Sequence, residues 1–352
     1  MSYAIYDLGY NQQLLGVFDT YKQAGDYLNL SPDAVQKAIK RNSVMKGRYV
    51  ARKIKEGQDM ELEKEAKKLI EKHLKNHGRP VVACSFGKDS LVVLHLVKTV
   101  ADKLGVEFDV LWNNTGVHYP DVYRIKKQLE EEWDLNIIET KVQKTFWDIV
   151  KEYGYPGVMS SDRSDKANSA CCYHIKKKPT KDAIKENDWD LYFDGLTAYE
   201  SDRRYMNLRD YGLSHHHKSF NLQKVHPIGW WTVDDVWDYI EKYDIPYPAV
   251  YDNEVENYSK RGYTEQICGH RVDRAIRNGC WCCTLAIKSC PEKMKQLRQY
   301  YPKMWQALMK SGLADKIAEI KLGGQGSLTD GYYTEETRDD WLERRPCFFD
   351  KI

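Results

Sequence analysis

The sequence predicts an α/β protein with a doubly wound, mainly parallel sheet, preceded by a small helix-turn-helix module and followed by a cysteine-rich helical region. Three observations carry this. From residue 79 onward, short β-branched runs alternate with stretches of helical period. Before that point, two short amphipathic stretches flank a tight turn. After residue 230, cysteines crowd into a few positions. The chain has 352 residues, 42% hydrophobic and 30% charged, which fits folded domains and excludes wholesale disorder. No apolar run approaches the ~18 residues of a membrane helix, so no membrane partner is expected. The opening MSYAIYDLGYNQQ has no basic stretch leading into an apolar one, so a cytoplasmic location is expected. A net charge of +2 implies no polyanionic partner by itself.

Residues 1–55 read as a separate unit. Ala24, Tyr27 and Leu28 give residues 19–28 an apolar face. Asn29 and Leu30 turn the chain. Ser31, Pro32 and Asp33 start a second helix as N-cap, first-turn proline and dipole-facing acid. Strands are predicted at 3–6, 14–18 and 48–51. Residues 34–55 hold eight Lys or Arg and no acid. Lys37, Lys40, Arg41, Lys46 and Arg48 thus form a one-sign surface of the kind phosphates meet, making DNA or RNA a candidate partner. Solvated lysines on a docking or dimerising cap, and so a homo-oligomer, are the alternative. Residues 58–77 form a charged connector helix. The expected divisions are 1–55, 56–78, 79–230 and 231–352.

The second part alternates. Strands are predicted at 81–84, 106–112, 136–141 and 189–194. Helices fall at 88–101, 120–133, 144–153 and 180–187. Trp231, Val236, Trp237 and Ile240 are spaced to pack one helix face. Residues 160–170, 215–220 and 323–331 read as irregular. Three adjacent histidines, His215 to His217, cannot all face one ion, and are read as a loop.

Chemistry concentrates in two places. Ser85-Phe86-Gly87-Lys88-Asp89-Ser90 lies between a strand and a helix. Such a turn aims backbone N–H groups and the helix dipole at an anion. Gly87 permits close approach, Ser85 and Ser90 add hydroxyls, and Lys88 adds charge. The spacing is not that of a Walker A loop. Nine cysteines include the adjacent pair Cys171 and Cys172, the group Cys280, Cys282 and Cys283, and the flanking Cys268 and Cys290. Adjacent cysteines bridge only with strain. Clustered thiols with C-x-x-C spacing read as metal or cluster ligands, with a structural zinc as an alternative.

The loop resembles the SGGKDS pyrophosphate loop of the PP-loop ATP-pyrophosphatase superfamily, with Phe86 in place of the second residue. Four further segments resemble its phosphoadenylylsulfate (PAPS) reductase-like branch. Residues 110–120 resemble V-D-T-G-x-x-x-P-E, with Asn114 where an acid is expected. Cys171-Cys172-Tyr173-His174-Ile175-Lys176-Lys177-Lys178-Pro179 resembles C-C-x-x-x-K-x-x-P of cluster-containing adenylylsulfate reductases. Residues 194–204 resemble G-x-R-x-x-E-S-x-x-R, with Thr197 replacing the first Arg and Arg204 remaining. Residues 227–237 resemble P-I-x-x-W-T-x-x-D-V-W. Residues 1–55 resemble helix-turn-helix modules appended to phage and homing-nuclease proteins.

The resemblance implies an adenine nucleotide alpha hydrolase-like fold that binds ATP or an adenylyl nucleotide with Mg²⁺. Ser85, Phe86, Gly87, Lys88, Asp89 and Ser90 would hold the phosphates, and Asn114, Thr115, Gly116 and Gly195 the rest of the nucleotide. Lys88, Asp89 and Arg204 would be catalytic. Cys171, Cys172, Cys280 and Cys283 would hold a 4Fe-4S cluster. A second set, Cys268, Cys280, Cys283 and Cys290, resembles the ATP-pyrophosphatase component of DNA phosphorothioation systems. The implied chemistry is cleavage at the α-phosphate to activate or thiolate an acceptor, with nucleic acid suggested by the basic module and a separate sulfur donor. A sulfonucleotide reductase using a thioredoxin-like reductant is the runner-up. The E-C-G-(I/L)-H segment that would carry its nucleophile is missing, since the last cysteine lies in RRPCFFDKI. A non-catalytic, nucleotide-sensing regulator that binds nucleic acid is the third reading.

Overall fold

The computed structural model describes the chain apart from residues 1, 8–12, 19, 42–44, 47–48, 55–57, 155–169, 257, 268–269, 284–291 and 313–352. The chain divides into two compact units, Met1–Lys68 and Leu69–Ile352, with the division falling in the sequence of the connector helix.

In the first unit, β1 (Ser2–Asp7), β2 (Gln13–Phe18) and β3 (Tyr49–Ile54) form an antiparallel sheet in the order β2-β1-β3. Helices α1 (Tyr21–Leu28) and α2 (Pro32–Arg41) fill the two helical stretches the sequence predicts. Thr20 and Gln23 close a capping box on α1, and the left-handed Asn29 (φ 51°) stops it. Ser31 caps α2 by accepting from the Ala34 N–H at 3.2 Å. Ala24, Leu28, Val35, Ala38 and Met45 form the core. Lys37 is exposed beside Asp33 at 2.7 Å, and Lys46 is exposed. Arg48 lies outside the described residues. Helix α3 (Gln58–Leu74) follows.

The second unit is built on a six-stranded sheet. In chain order come β4 (Pro80–Ala83), α4 (Lys88–Leu104), β5 (Asp109–Asn114), α5 (Pro120–Glu132), β6 (Ile137–Lys141) and α6 (Phe146–Tyr153). Then follow α7 (Lys178–Glu186), β7 (Leu191–Asp194), α8 (Asp202–Tyr211), β8 (Ser214–His217), β9 (Leu222–Val225) and α9 (Val233–Lys242). The sheet order is β6-β5-β4-β7-β9-β8, parallel except for the edge strand β8. Val81, Leu111 and Tyr192 pack on one face with Ala183 and Ile184 of α7. Alternation along the strands turns the fully buried Val82, Val110 and Phe193 to the other face. Buried residues on both faces make the sheet doubly wound, as predicted.

Two expectations need correction. Residues 214–217 are not a loop but a strand, paired through His215↔Lys224 and His216↔Gln223. The C-terminal region is not wholly helical. It contains the hairpin β10 (Tyr263–Ile267) and β11 (His270–Arg274) before α10 (Glu292–Tyr300) and α11 (Pro302–Lys310). Trp231, Val236, Trp237 and Ile240 are all buried, and the Trp237 indole donates to the Lys260 carbonyl at 2.7 Å.

Gly262 enters the hairpin at φ +64°, where an added Cβ would lie 1.7 Å from the Arg274 carbonyl oxygen. Gly105 ends α4 at φ +65° with nothing within 4 Å. Left-handed backbone costs a non-glycine residue about 1–2 kcal/mol. Gly105→Ala is expected to lose only that amount, and Gly262→Ala clearly more. Paired thermal melts of the two variants check the difference.

Candidate functional site

Winding runs outward from β4 through β5 to β6, then returns to the other side of β4 with β7. A crevice opens at the carboxyl ends of strands where the order reverses. A cavity of about 510 Å³ lies there, lined by Ser85 and Gly87 after β4, Thr115 after β5, and Gly195 after β7.

The loop is organised by Ser90. Its hydroxyl accepts from the Ser85 and Gly87 N–H groups, each at 3.2 Å, and donates to the Gly87 carbonyl at 2.9 Å. Gly87 stands at the N-terminus of α4, so the helix dipole points at the cavity. Phe86 is left-handed (φ 54°) and fully buried, edge-on to Trp112 at 6.0 Å. It anchors the loop from beneath. Lys88 does not line the large cavity. Its side chain is 4% exposed, and Nζ bonds Asp89 Oδ1 at 2.6 Å. Asn278 closes over the loop, donating to the Ser85 carbonyl at 3.3 Å.

The far wall carries thiols. Cys280 and Cys283 line the cavity together with Lys176. Cys171 and Cys172 sit in the same electrostatic neighbourhood. Burial, then the charges of Cys172, Cys280 and Cys283, push the Cys171 thiol up to about 12. Burial also raises Cys172. Lys176 is held protonated, first by Cys280 and then, against desolvation, by Cys172, Cys283 and Cys171. A π-helical turn, Tyr173–Lys177, separates the thiol pair from α7 and presents this lysine. Among the described residues, no three His, Cys, Asp or Glu side chains are grouped to hold a single metal ion. Cys171, Cys172, Cys280 and Cys283 all act on the charge of Lys176, and four thiolates are the donor set an iron–sulfur cluster takes. Cys282 is a fifth thiol, fully buried and raised well above its usual range by that burial. Cys268 and Cys290, half of the second set, lie outside the described residues.

Acids on the remaining wall are matched by cations. Asp194 bonds Lys224 at 2.8 Å and His226 at 2.5 Å. Burial pushes its carboxyl up, but the His226 and Lys224 charges and bonds outweigh burial and hold it well below the carboxylate range. Glu200 pairs with Arg204 of α8, which lines the cavity.

The predicted residues therefore divide. Ser85, Gly87, Asp89, Ser90, Thr115, Gly195, Arg204, Cys280 and Cys283 converge on one cavity. Asn114 does not line it. Its amide accepts from the Gly116 N–H at 3.0 Å and the Tyr123 hydroxyl at 3.1 Å, and donates to Glu139 at 2.8 Å, so it shapes the turn. Gly116 is the left-handed residue of that turn (φ +73°). Sequence reasoning missed Arg277 and Asn278, which line the cavity just before Cys280. The available signal was their place beside the C-x-x-C segment.

The phosphoadenosine phosphosulfate reductase domain matches residues 79–286. An uncharacterised protein of Methanocaldococcus jannaschii is 29% identical over 231 residues, which is 65% of this chain and 40% of that protein. The chain thus spans well under two thirds of that relative. Adenosine 5'-phosphosulfate reductase of Staphylococcus haemolyticus is 26% identical over 198 residues, covering 54% of this chain and 72% of its own. Among solved structures, PAPS reductase from Candida auris gives a TM-score of 0.41 at 16% identity, covering 57% of this chain and 92% of that one. The U34-tRNA thiolase NcsA from Methanococcus maripaludis gives 0.41 at 19%, covering 53% and 65%. The domain match runs over more than half of the sequence, and the chain belongs to the phosphoadenosine phosphosulfate reductase family.

Proposed function

We propose that the chain binds ATP or another adenylyl nucleotide in the 510 Å³ cavity and cleaves it at the α-phosphate. This cleavage activates or thiolates an acceptor, a nucleic acid recruited by residues 1–55. One observation carries the reading: the phosphate loop and the Cys280 and Cys283 thiols open into the same cavity. A phosphate held on the loop amides lies within reach of groups that handle sulfur. The loop N–H groups and Arg204 oppose charge that develops on the phosphates, and fixed donors need no reorganisation as it does. Lys88 pairs with Asp89 and holds it in place. Asp89 and Asp194 are already paired with cations, so Mg²⁺ would be held mainly by the phosphates it accompanies. Cys171, Cys172, Cys280 and Cys283 would hold a 4Fe-4S cluster, which supplies redox or sulfur-binding chemistry when present.

The names of the bacterial relatives favour a second reading, reduction of an adenylyl sulfate to sulfite by a thiol. Cys268, whose Cys268-Gly269-His270 stretch shares part of the missing segment, and Cys347, the last cysteine, would be its nucleophile candidates, and both lie outside the described residues. Sulfite release that depends on either cysteine and on a thioredoxin would establish this reading over the first.

Three outcomes are expected. Ser90→Ala removes the hydroxyl that two loop amides and one carbonyl share, so ATP affinity should fall about tenfold or more. Calorimetry reads this, with circular dichroism checking the fold. Protein prepared without oxygen should absorb broadly near about 400 nm with about four irons per chain, and Cys171→Ser and Cys283→Ser should each bleach it. Bleaching by Cys268→Ser or Cys290→Ser, with Cys171→Ser intact, would move the ligands to the second set. Finally, binding of duplex DNA or structured RNA should weaken about tenfold or more between roughly 50 and 200 mM salt. The triple change Lys37→Glu, Lys40→Glu and Arg41→Glu should abolish that binding and leave ATP affinity unchanged.

A further inference from the structure

Thr197 stands where the resembled segment carries its first arginine, so that position supplies no guanidinium. Arg277 brings one to the same place from a distant part of the chain. Thr197, Glu200 and Arg277 line one small void, with Thr197 buried. The Arg277 Nη2 donates to the Glu200 carbonyl at 2.6 Å, and its Nε lies 3.9 Å from the Glu200 carboxylate. Arg277 also lines the large cavity, together with Arg204.

Charge matching separates these cations. Asp89 is paired with Lys88, Asp194 with Lys224, and Glu200 with Arg204. Among the described residues, Arg277 keeps only the long approach to Glu200 and the bond to its carbonyl. Its side chain is 43% exposed, so a ligand can reach it. The charge of Arg277 is felt at Arg204, whose guanidinium is lowered first by burial and then by Arg277. Two guanidiniums that repel across a cavity wall are a receptor for an oxyanion between them.

We propose that Arg277 is the second anion-binding guanidinium of this site, standing in for the one absent at position 197 and taking a phosphate or sulfate group of an adenylyl nucleotide opposite Arg204. The proposal rests on the nucleotide reading above. It adds a linkage that reading lacks. Arg277 precedes Cys280 by three residues, so the anion site is complete only when the thiol-bearing segment is docked.

The test measures binding of ATP, inorganic pyrophosphate, adenylyl sulfate and inorganic sulfate to the full chain. Arg277→Ala should weaken the bound oxyanion about 10- to 100-fold, the range a hydrogen bond to a charged group carries. Arg277→Lys should fall in between, because it keeps charge but loses the fork. The double variant Thr197→Arg/Arg277→Ala should recover most of the loss, since it restores a guanidinium beside the space Arg277 vacates. A purely structural Arg277 would not be rescued that way. Weakening confined to ATP and pyrophosphate identifies the phosphates as the ligand, and weakening confined to the sulfur compounds identifies sulfate. If Arg204→Ala weakens binding while Arg277→Ala and Arg277→Lys do not, this proposal fails and the nucleotide reading stands. If the unmodified protein binds none of the four probes, the nucleotide reading itself fails. Should Arg277→Ala not fold, Arg277→Lys decides, and affinity equal to the unmodified protein overturns the proposal.

Discussion

The site depends on the close approach of two backbones. Gly195 ends β7 so near the first turn of α4 that a Cβ would sit 2.7 Å from the Asp89 carbonyl carbon and 2.8 Å from the Ser90 nitrogen. On the other side, a Cβ at Gly87 would meet the Asn278 amide at 2.4 Å. The phosphate loop is therefore clamped between the end of a strand and an incoming side chain. Tyr251 adds a third hold, its hydroxyl accepting from the Lys88 N–H at 3.0 Å. A loop held this way keeps its amides oriented before any anion arrives, which is how preorganised donors stabilise charge.

The clamp also explains how parts distant in sequence form one cavity. Thr115 follows β5, and its hydroxyl receives the Cys280 thiol at 3.8 Å. The Trp281 N–H donates to the Val117 carbonyl at 3.1 Å, and the buried Lys293 Nζ bonds the Cys280 carbonyl at 3.0 Å. These contacts fix the thiol segment against the β5 turn. Arg277 and Asn278, directly upstream, are then delivered to Glu200 and Ser85. The anion side and the sulfur side of the cavity share one short stretch of chain.

The sheet and the phosphate loop were legible because their signals are local. A buried β-branched run, a glycine turn and a capped helix follow one another within residues 80–104. The hairpins were not legible for the same physical reason. Ser214–His217 and His270–Arg274 are short and polar, and their strand state comes from ladder partners rather than from an apolar alternation. The thiols were legible as residues, through spacing, and the charge they exert together on Lys176 comes from tertiary structure. A lysine in a phosphate loop reads as a phosphate ligand, and what the spacing does not show is that the adjacent Asp89 is near enough to pair with its ammonium. Asn278 lies 193 residues from the loop it closes, a pairing no local pattern encodes.

The π turn at Tyr173–Lys177 has a consequence for how this helix tolerates change in length. A π turn is an α-helix widened to i→i+5 bonding, and it accommodates one residue more than the helix needs. Deleting any one residue between Tyr173 and Lys177 would let the helix rewind without breaking it. Cys171 and Cys172 would keep nearly the same direction about the axis relative to α7, because the residue removed is the one the widened turn had absorbed. The same deletion made in the regular turns of α7 would instead turn the residues on either side by about 100° relative to each other, since each residue of a 3.6-fold helix turns that far. In this helix a change of length acts as a change of direction in the regular turns of α7 and leaves direction nearly unchanged in the widened one.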